Sequence, residues 1–166
     1  MTETLPQPRG SEAEPDLSPG GPGAGPGPLL ICAPMRIEAR AIRRGLGEGS
    51  GEDRSSRATL LRTGWGTSRA ARTAGQVSHF PFGPMAVMGV GAGLTADLKP
   101  GDLVVGTEVG AVTCGSAPLL AAELRRAGLR AQAGPITTVN HLVRRAERAA
   151  LAARGMLLAD MESAPL

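Results

Sequence analysis

Short apolar runs alternating with segments of helical spacing constrain this chain more than any single residue does. Residues 29–33, 58–61, 85–90, 103–109, 132–139 and 156–159 are each of strand length and are bounded by glycine, proline or polar residues. Runs so short and so apolar read as buried strands. Between them, residues 35–46 set Ile37, Ala41, Ile42 and Leu46 at helical spacing, and an alanine-rich segment runs to about Val77. A third helix is expected after Ser116, with Pro118 near its start and Gly128 past its end. A fourth begins at Asn140 as its cap, places Leu142, Val143, Ala146, Ala149, Ala150 and Ala153 on one face, and stops at Gly155. Strand and helix alternating through short links predict an α/β fold with its sheet covered on both sides.

The first 28 residues lie outside that pattern. They are rich in proline and glycine and poor in large aliphatic side chains, so they cannot bury enough apolar surface to offset their ordering entropy. Residues 1–28 are therefore expected to be a disordered tail and 29–166 the folded domain. The tail lacks the basic start and apolar centre of a signal peptide. No apolar run approaches the roughly 20 residues of a membrane span, and a cytoplasmic protein is expected.

The net charge of +3 does not point to nucleic acid. Its 18 basic residues include a single lysine, Lys99, and are dispersed among 15 acidic ones. Trp65, Phe80 and Phe82 are all the aromatics there are, whereas a nucleic-acid face needs clustered charge or stacking platforms. Cys32 and Cys114 form no Cys-x-x-Cys pair and read as reduced, buried thiols. His79 and His141 sit in no ligand spacing, so no metal is expected. Gly-x-Ser-x-Gly is absent, which argues against a serine nucleophile. The glycines at 89, 91 and 93 miss the dinucleotide fingerprint because position 94 is leucine. They suggest a close backbone approach to something other than a pyrophosphate.

Two short stretches carry chemistry. Asp160-Met161-Glu162-Ser163 leaves the last apolar run, at the strand end where α/β sheets bind ligands. A carboxylate there can accept two hydrogen bonds from a vicinal diol, and a thioether beside it can lie against a sugar. The alternative is that Asp160 or Ser163 merely caps a terminal helix. Thr63-Gly64-Trp65-Gly66 joins a strand to a helix, where free backbone N–H groups can hold an anion or polar ligand; a tight turn that binds nothing remains the alternative.

Four segments in this order resemble the nucleoside phosphorylase and nucleosidase family. They are Ile31-Cys32-Ala33-Pro34-Met35 leading to Glu38, Thr63-Gly64-Trp65-Gly66, Gly89 to Leu94 with the following Lys99-Pro100-Gly101-Asp102 turn, and Asp160 to Ala164. The match spans residues 29–166 and within the family is most similar to a bacterial branch found with hopanoid synthesis. The resemblance implies a three-layer αβα fold around a mixed, partly barrel-like central sheet, in a homo-oligomer. It also implies cleavage of the N-glycosidic bond of a purine nucleoside, by phosphorolysis or hydrolysis, without a cofactor other than phosphate as possible co-substrate.

Residue by residue, the resemblance places Glu162 on the ribose hydroxyls and Met161 beneath the sugar. Gly91, Ala92 and Gly93 fall on the loop facing base and sugar, and Glu38 on the carboxylate that orients water. Arg36, with Thr63 and Gly64, falls near the place of a phosphate or other anion. Met88, Gly89 and Val90 stand where phosphorolytic members carry charged and hydroxyl donors, which tilts the chemistry toward hydrolysis. The family's pattern continues with a further strand closing in an acid that protonates the leaving base. These 166 residues stop at Leu166, so an incomplete domain is expected, lacking that final strand and helix. Its alternative function is a catalytically dead nucleoside-binding module that lacks the family's C-terminal catalytic aspartate.

Overall fold

The computed structural model describes residues 27–47, 58–78 and 83–166. The tail read over residues 1–28 lies outside these except for Gly27 and Pro28, and so do His79, Phe80 and Phe82. The elements run β1 (Leu29–Ala33), α1 (Arg36–Gly47), β2 (Ala58–Arg62), α2 (Thr67–Val77), β3 (Met85–Val87), β4 (Ala92–Gly93), β5 (Leu103–Val109), β6 (Val112–Thr113), α3 (Ala117–Arg126), β7 (Ala131–Thr138), α4 (Arg145–Ala153) and β8 (Leu158–Asp160). The α/β class and the mixed strand directions expected from the sequence are both present.

The strands divide into two hydrogen-bonded sheets that do not close into a barrel among the described residues. One has the order β2-β1-β3 and is parallel throughout. The other has the order β4-β8-β7-β5-β6, with a parallel centre (β8-β7-β5) and antiparallel edges. β1 is the central strand of its sheet, and Leu30, Ile31, Cys32 and Ala33 are all buried. A continuous apolar run is what a parallel strand covered on both faces requires. Burial pushes the Cys32 thiol pKa up, which makes it a packing group rather than a nucleophile; Cys114 is half-buried, and both thiols are free.

α1 packs on β1 and β2, and α3 on β5 and β7. α4 places Leu151 against Leu94 and Ala159, with Val139, Val143 and Met156 packed around them. That cluster holds β8, and therefore the turn that follows it.

The sequence and the structure part at three places. The run read as one strand over 85–90 is a strand only to Val87; the chain then crosses to the second sheet and pairs as β4 with β8. β6 is a two-residue hairpin partner that periodicity cannot register. Asn140 does not cap α4: its side chain bonds His141, His141 bonds Glu147, and the helix begins at Arg145. The stop at Gly155 stands, with a left-handed φ of 83° that a side chain would resist.

Gly91 shows why the crossover needs glycine. A Cβ there would collide with the Leu158 side chain and lie 3.0 Å from the Ala159 carbonyl oxygen. Gly91→Ala is expected to destabilise the protein by about 1–3 kcal/mol through overpacking, read as a lower denaturant midpoint. An unchanged midpoint would mean that β8 can move aside.

Candidate functional site

Glu38, from the first helix, and Glu162, from the last turn, are both buried and lie near enough for the charge of one to act on the other. Glu38 is buried in the first turn of α1. Its Oε2 accepts the Met35 N–H at 2.6 Å, the reach of an N3 glutamate back to the N-cap amide. Its Oε1 accepts the Val90 N–H at 2.8 Å, from the chain as it leaves β3. Gly89 permits this approach: a Cβ there would stand 2.8 Å from Oε1. The carboxylate is thus a cap and also a long-range tie. Each of its oxygens keeps a second lone pair for another donor.

Glu162 is buried in the turn after β8. Its Oε1 accepts the Gly66 N–H at 2.7 Å, and its Oε2 the Met161 N–H at 3.3 Å. Gly66 ends the glycine turn between β2 and α2 with φ 93°, so the second and fourth family-like segments are physically joined there. Burial raises the Glu162 pKa above the ordinary glutamate range; the two amides pull it partly back, and the charges of Asp160 and Glu38 push it up again.

Because the folded state holds that proton more tightly than the unfolded chain, an ionised Glu162 costs stability at neutral pH. The cost is relieved as pH falls through the raised pKa. Glu162→Gln removes it, so the variant should melt no lower than wild type at neutral pH, with its advantage shrinking on acidification. Thermal melts across pH test this; a large loss of stability at neutral pH would make Glu162 a structural residue.

Asp160 ties a turn and does not cap a terminal helix, since no helix follows β8 among the described residues. Its Oδ1 accepts the Thr138 hydroxyl at 2.6 Å, and its Oδ2 accepts the Ser163 N–H at 2.9 Å and the Ser163 hydroxyl. The Ala164 N–H donates in turn to the Thr138 Oγ1 at 2.9 Å. This network locks the turn and leaves Glu162 as the carboxylate turned toward Gly66. Met161 is half-buried in the same turn. Ala92 and Gly93 pair with Ala159 and Leu158; of the three glycines, Gly91 faces Leu158 of β8, Gly89 faces the Glu38 carboxylate and Gly93 faces Leu98.

The first family-like segment also borders a cavity of about 450 Å³. Arg36, Thr63 and Gly64, the anion candidates, all line it. Trp65, from the glycine turn already singled out, lines it as well, together with Arg62, Arg69 and Arg72, which were missed in the sequence. The legible signal was the pair of arginines three apart on α2, directly after the glycine turn. Among the described residues, Arg36 makes no hydrogen bond or ion pair with Glu38 or Glu162. No group of histidine, cysteine, aspartate and glutamate fit to hold a metal occurs among the described residues. No helix among them is long and apolar enough to cross a membrane.

No protein-family model matches the chain, and no curated protein matches it in sequence. Solved structures do match in fold. The 5′-methylthioadenosine/S-adenosylhomocysteine nucleosidase of Helicobacter pylori superposes with a TM-score of 0.70 at 17% identity, over 84% of this chain and 77% of that one. Futalosine hydrolase of the same organism gives 0.64 at 18%, over 84% and 76%. AMP nucleosidase of Bacteroides thetaiotaomicron gives 0.64 at 17%, over 85% and 73%. The chain has the fold that these nucleosidases share.

Proposed function

We propose that the protein cleaves the N-glycosidic bond of a purine ribonucleoside by hydrolysis. The observation that supports this most is the convergence of two buried carboxylates, Glu38 and Glu162, each steadied by backbone amides from a different segment. Glu162 accepts hydrogen bonds from the ribose hydroxyls, and Met161 packs against the sugar. The base departs with the bonding electron pair and takes its proton from solvent, leaving an oxocarbenium-like ribose that the fixed negative charge of the two carboxylates stabilises. Glu38 orients a water toward the anomeric carbon and takes its proton. The names of the fold relatives, two nucleosidases and a hydrolase, agree with this chemistry.

Hydrolysis is favoured over phosphorolysis by what stands at 88–90. Met88, Gly89 and Val90 bring no charged donor, and the Val90 N–H is already committed to Glu38. A carboxylate in that position attracts water and repels a phosphate dianion. The reading includes a homo-oligomer in the cytoplasm, with exposed Ile37, Trp65 and Val90 offering apolar surface for a second copy. A role in hopanoid synthesis rests on the sequence resemblance.

The product identifies the nucleophile. Free ribose at a rate indifferent to added phosphate is expected, whereas a sugar 1-phosphate formed only with phosphate would overturn hydrolysis and turn attention to Arg36.

A further inference from the structure

Four arginines line the cavity beside the two carboxylates, and hydrolysis of a nucleoside requires none of them. Arg36 reaches it from α1, Arg62 from the end of β2, and Arg69 and Arg72 from α2. Among the described residues none of the four forms an ion pair or a side-chain hydrogen bond. Guanidinium groups brought to one cavity without carboxylates repel one another, and they match a dianion through paired N–H donors. Gly64 helps to place one of them: a Cβ at this residue would stand 2.9 Å from the Arg69 Cδ, so the arginine stem lies across the bare glycine.

A second observation is independent of charge. Thr63 lines the same cavity and is only 5% exposed, yet its hydroxyl oxygen is buried without a hydrogen-bond partner. A buried hydroxyl left unsatisfied is costly, and a hydrogen bond to a ligand oxygen that drew this side chain toward the cavity would offset that cost. The volume of about 450 Å³ is far more than one ion needs and falls in the range of small-molecule sites. The cavity also shares walls with the candidate site. Met35 lines it while giving its N–H to Glu38, and Gly64 and Trp65 line it while the next residue, Gly66, gives its N–H to Glu162.

We propose that this cavity binds the phosphoryl group of a nucleoside 5′-phosphate whose ribose is held at Glu162. The inference rests on the nucleoside reading above and narrows its substrate class. The phosphoryl group serves here as a handle for recognition, and water remains the nucleophile. No bond to phosphorus forms or breaks.

Calorimetric titration of the full chain with three probes tests it: inorganic phosphate, a purine ribonucleoside, and the 5′-monophosphate of that nucleoside. The monophosphate should bind at least about tenfold more tightly than the nucleoside, as charge-assisted paired bonds imply, and the gap should narrow with salt. Arg69→Ala/Arg72→Ala should abolish the gap while leaving nucleoside affinity within about twofold, and Arg72→Lys should retain part of it. Equal affinities in the wild type, or a preference that survives the double variant, would overturn the proposal. So would phosphate competing with nothing. The two readings fail separately. A chain that binds nucleoside but ignores the 5′-phosphate loses this one, and a chain that binds phosphate but no nucleoside loses the reading beneath it.

Discussion

Glu38→Gln is expected to slow nucleoside hydrolysis by about 10²–10⁴-fold, the usual contribution of a positioned general base, with little change in nucleoside affinity. The substitution isolates the chemistry because glutamine can do the structural work. At the third position of a helix it reaches the N-cap amide much as glutamate does, so the bond to Met35 can persist. The tie to Val90 needs only an acceptor oxygen, which the amide supplies. What glutamine cannot do is take a proton from water. Steady-state rates and calorimetric affinity, measured on the same preparation, separate the roles. A rate within about threefold of wild type would remove Glu38 from the reaction, since that is well below the usual effect of a lost base.

Glu162→Gln is expected to weaken ribonucleoside binding by about 1–3 kcal/mol, roughly 5- to 150-fold, by removing charge-assisted acceptance from the ribose diol. The same carboxylate that raises the cost of folding would thus support binding, a common trade at functional sites. Its pH dependence has a definite sign. Affinity should fall as pH drops through the raised pKa of Glu162, at less acidic pH than an ordinary glutamate would give, because the protonated acid loses its full acceptor capacity. Stability moves the other way over the same interval. A ligand lacking both ribose hydroxyls should bind the wild type as weakly as the ribonucleoside binds the variant. Equal binding of the two ligands by the wild type would remove Glu162 from the ribose.

Much of the fold was legible because burial on both faces leaves an unmistakable pattern. Leu29–Ala33 and Leu103–Val109 were read to the residue, the first because a parallel strand buried on both faces shows as an uninterrupted apolar run, the second because valines mark it despite Gly106, Thr107 and Glu108. The run at 85–90 misled because Met88 and Val90 look like strand residues while the glycines between and after them serve the crossover to β8. The glycines announced a close approach without saying to what; two of them make room for Glu38 and for Leu158. Asn140 carries the local signature of a helix cap, but a side-chain chain through His141 to Glu147 uses it otherwise.

The candidate site was legible in its parts and illegible in its assembly. Asp160 and Glu162 differ by two positions, and only the partners at Thr138 and Gly66 show which one ties the turn and which one is turned toward Gly66. The arginine cavity draws on α1, β2 and α2 at once, a juxtaposition that no local spacing reports. Its one local trace was the placing of Arg69 and Arg72 three apart, which on a helix puts them on one side.

Base release from a purine ribonucleoside, followed by chromatography in phosphate-free buffer, bears most directly on the central claim. Wild-type protein should release free base together with free ribose, Glu38→Gln should bind the nucleoside and release base far more slowly, and Glu162→Gln should do both poorly. Nucleoside that binds to the wild type and is recovered intact at every time would contradict the account and leave a binding module in place of an enzyme.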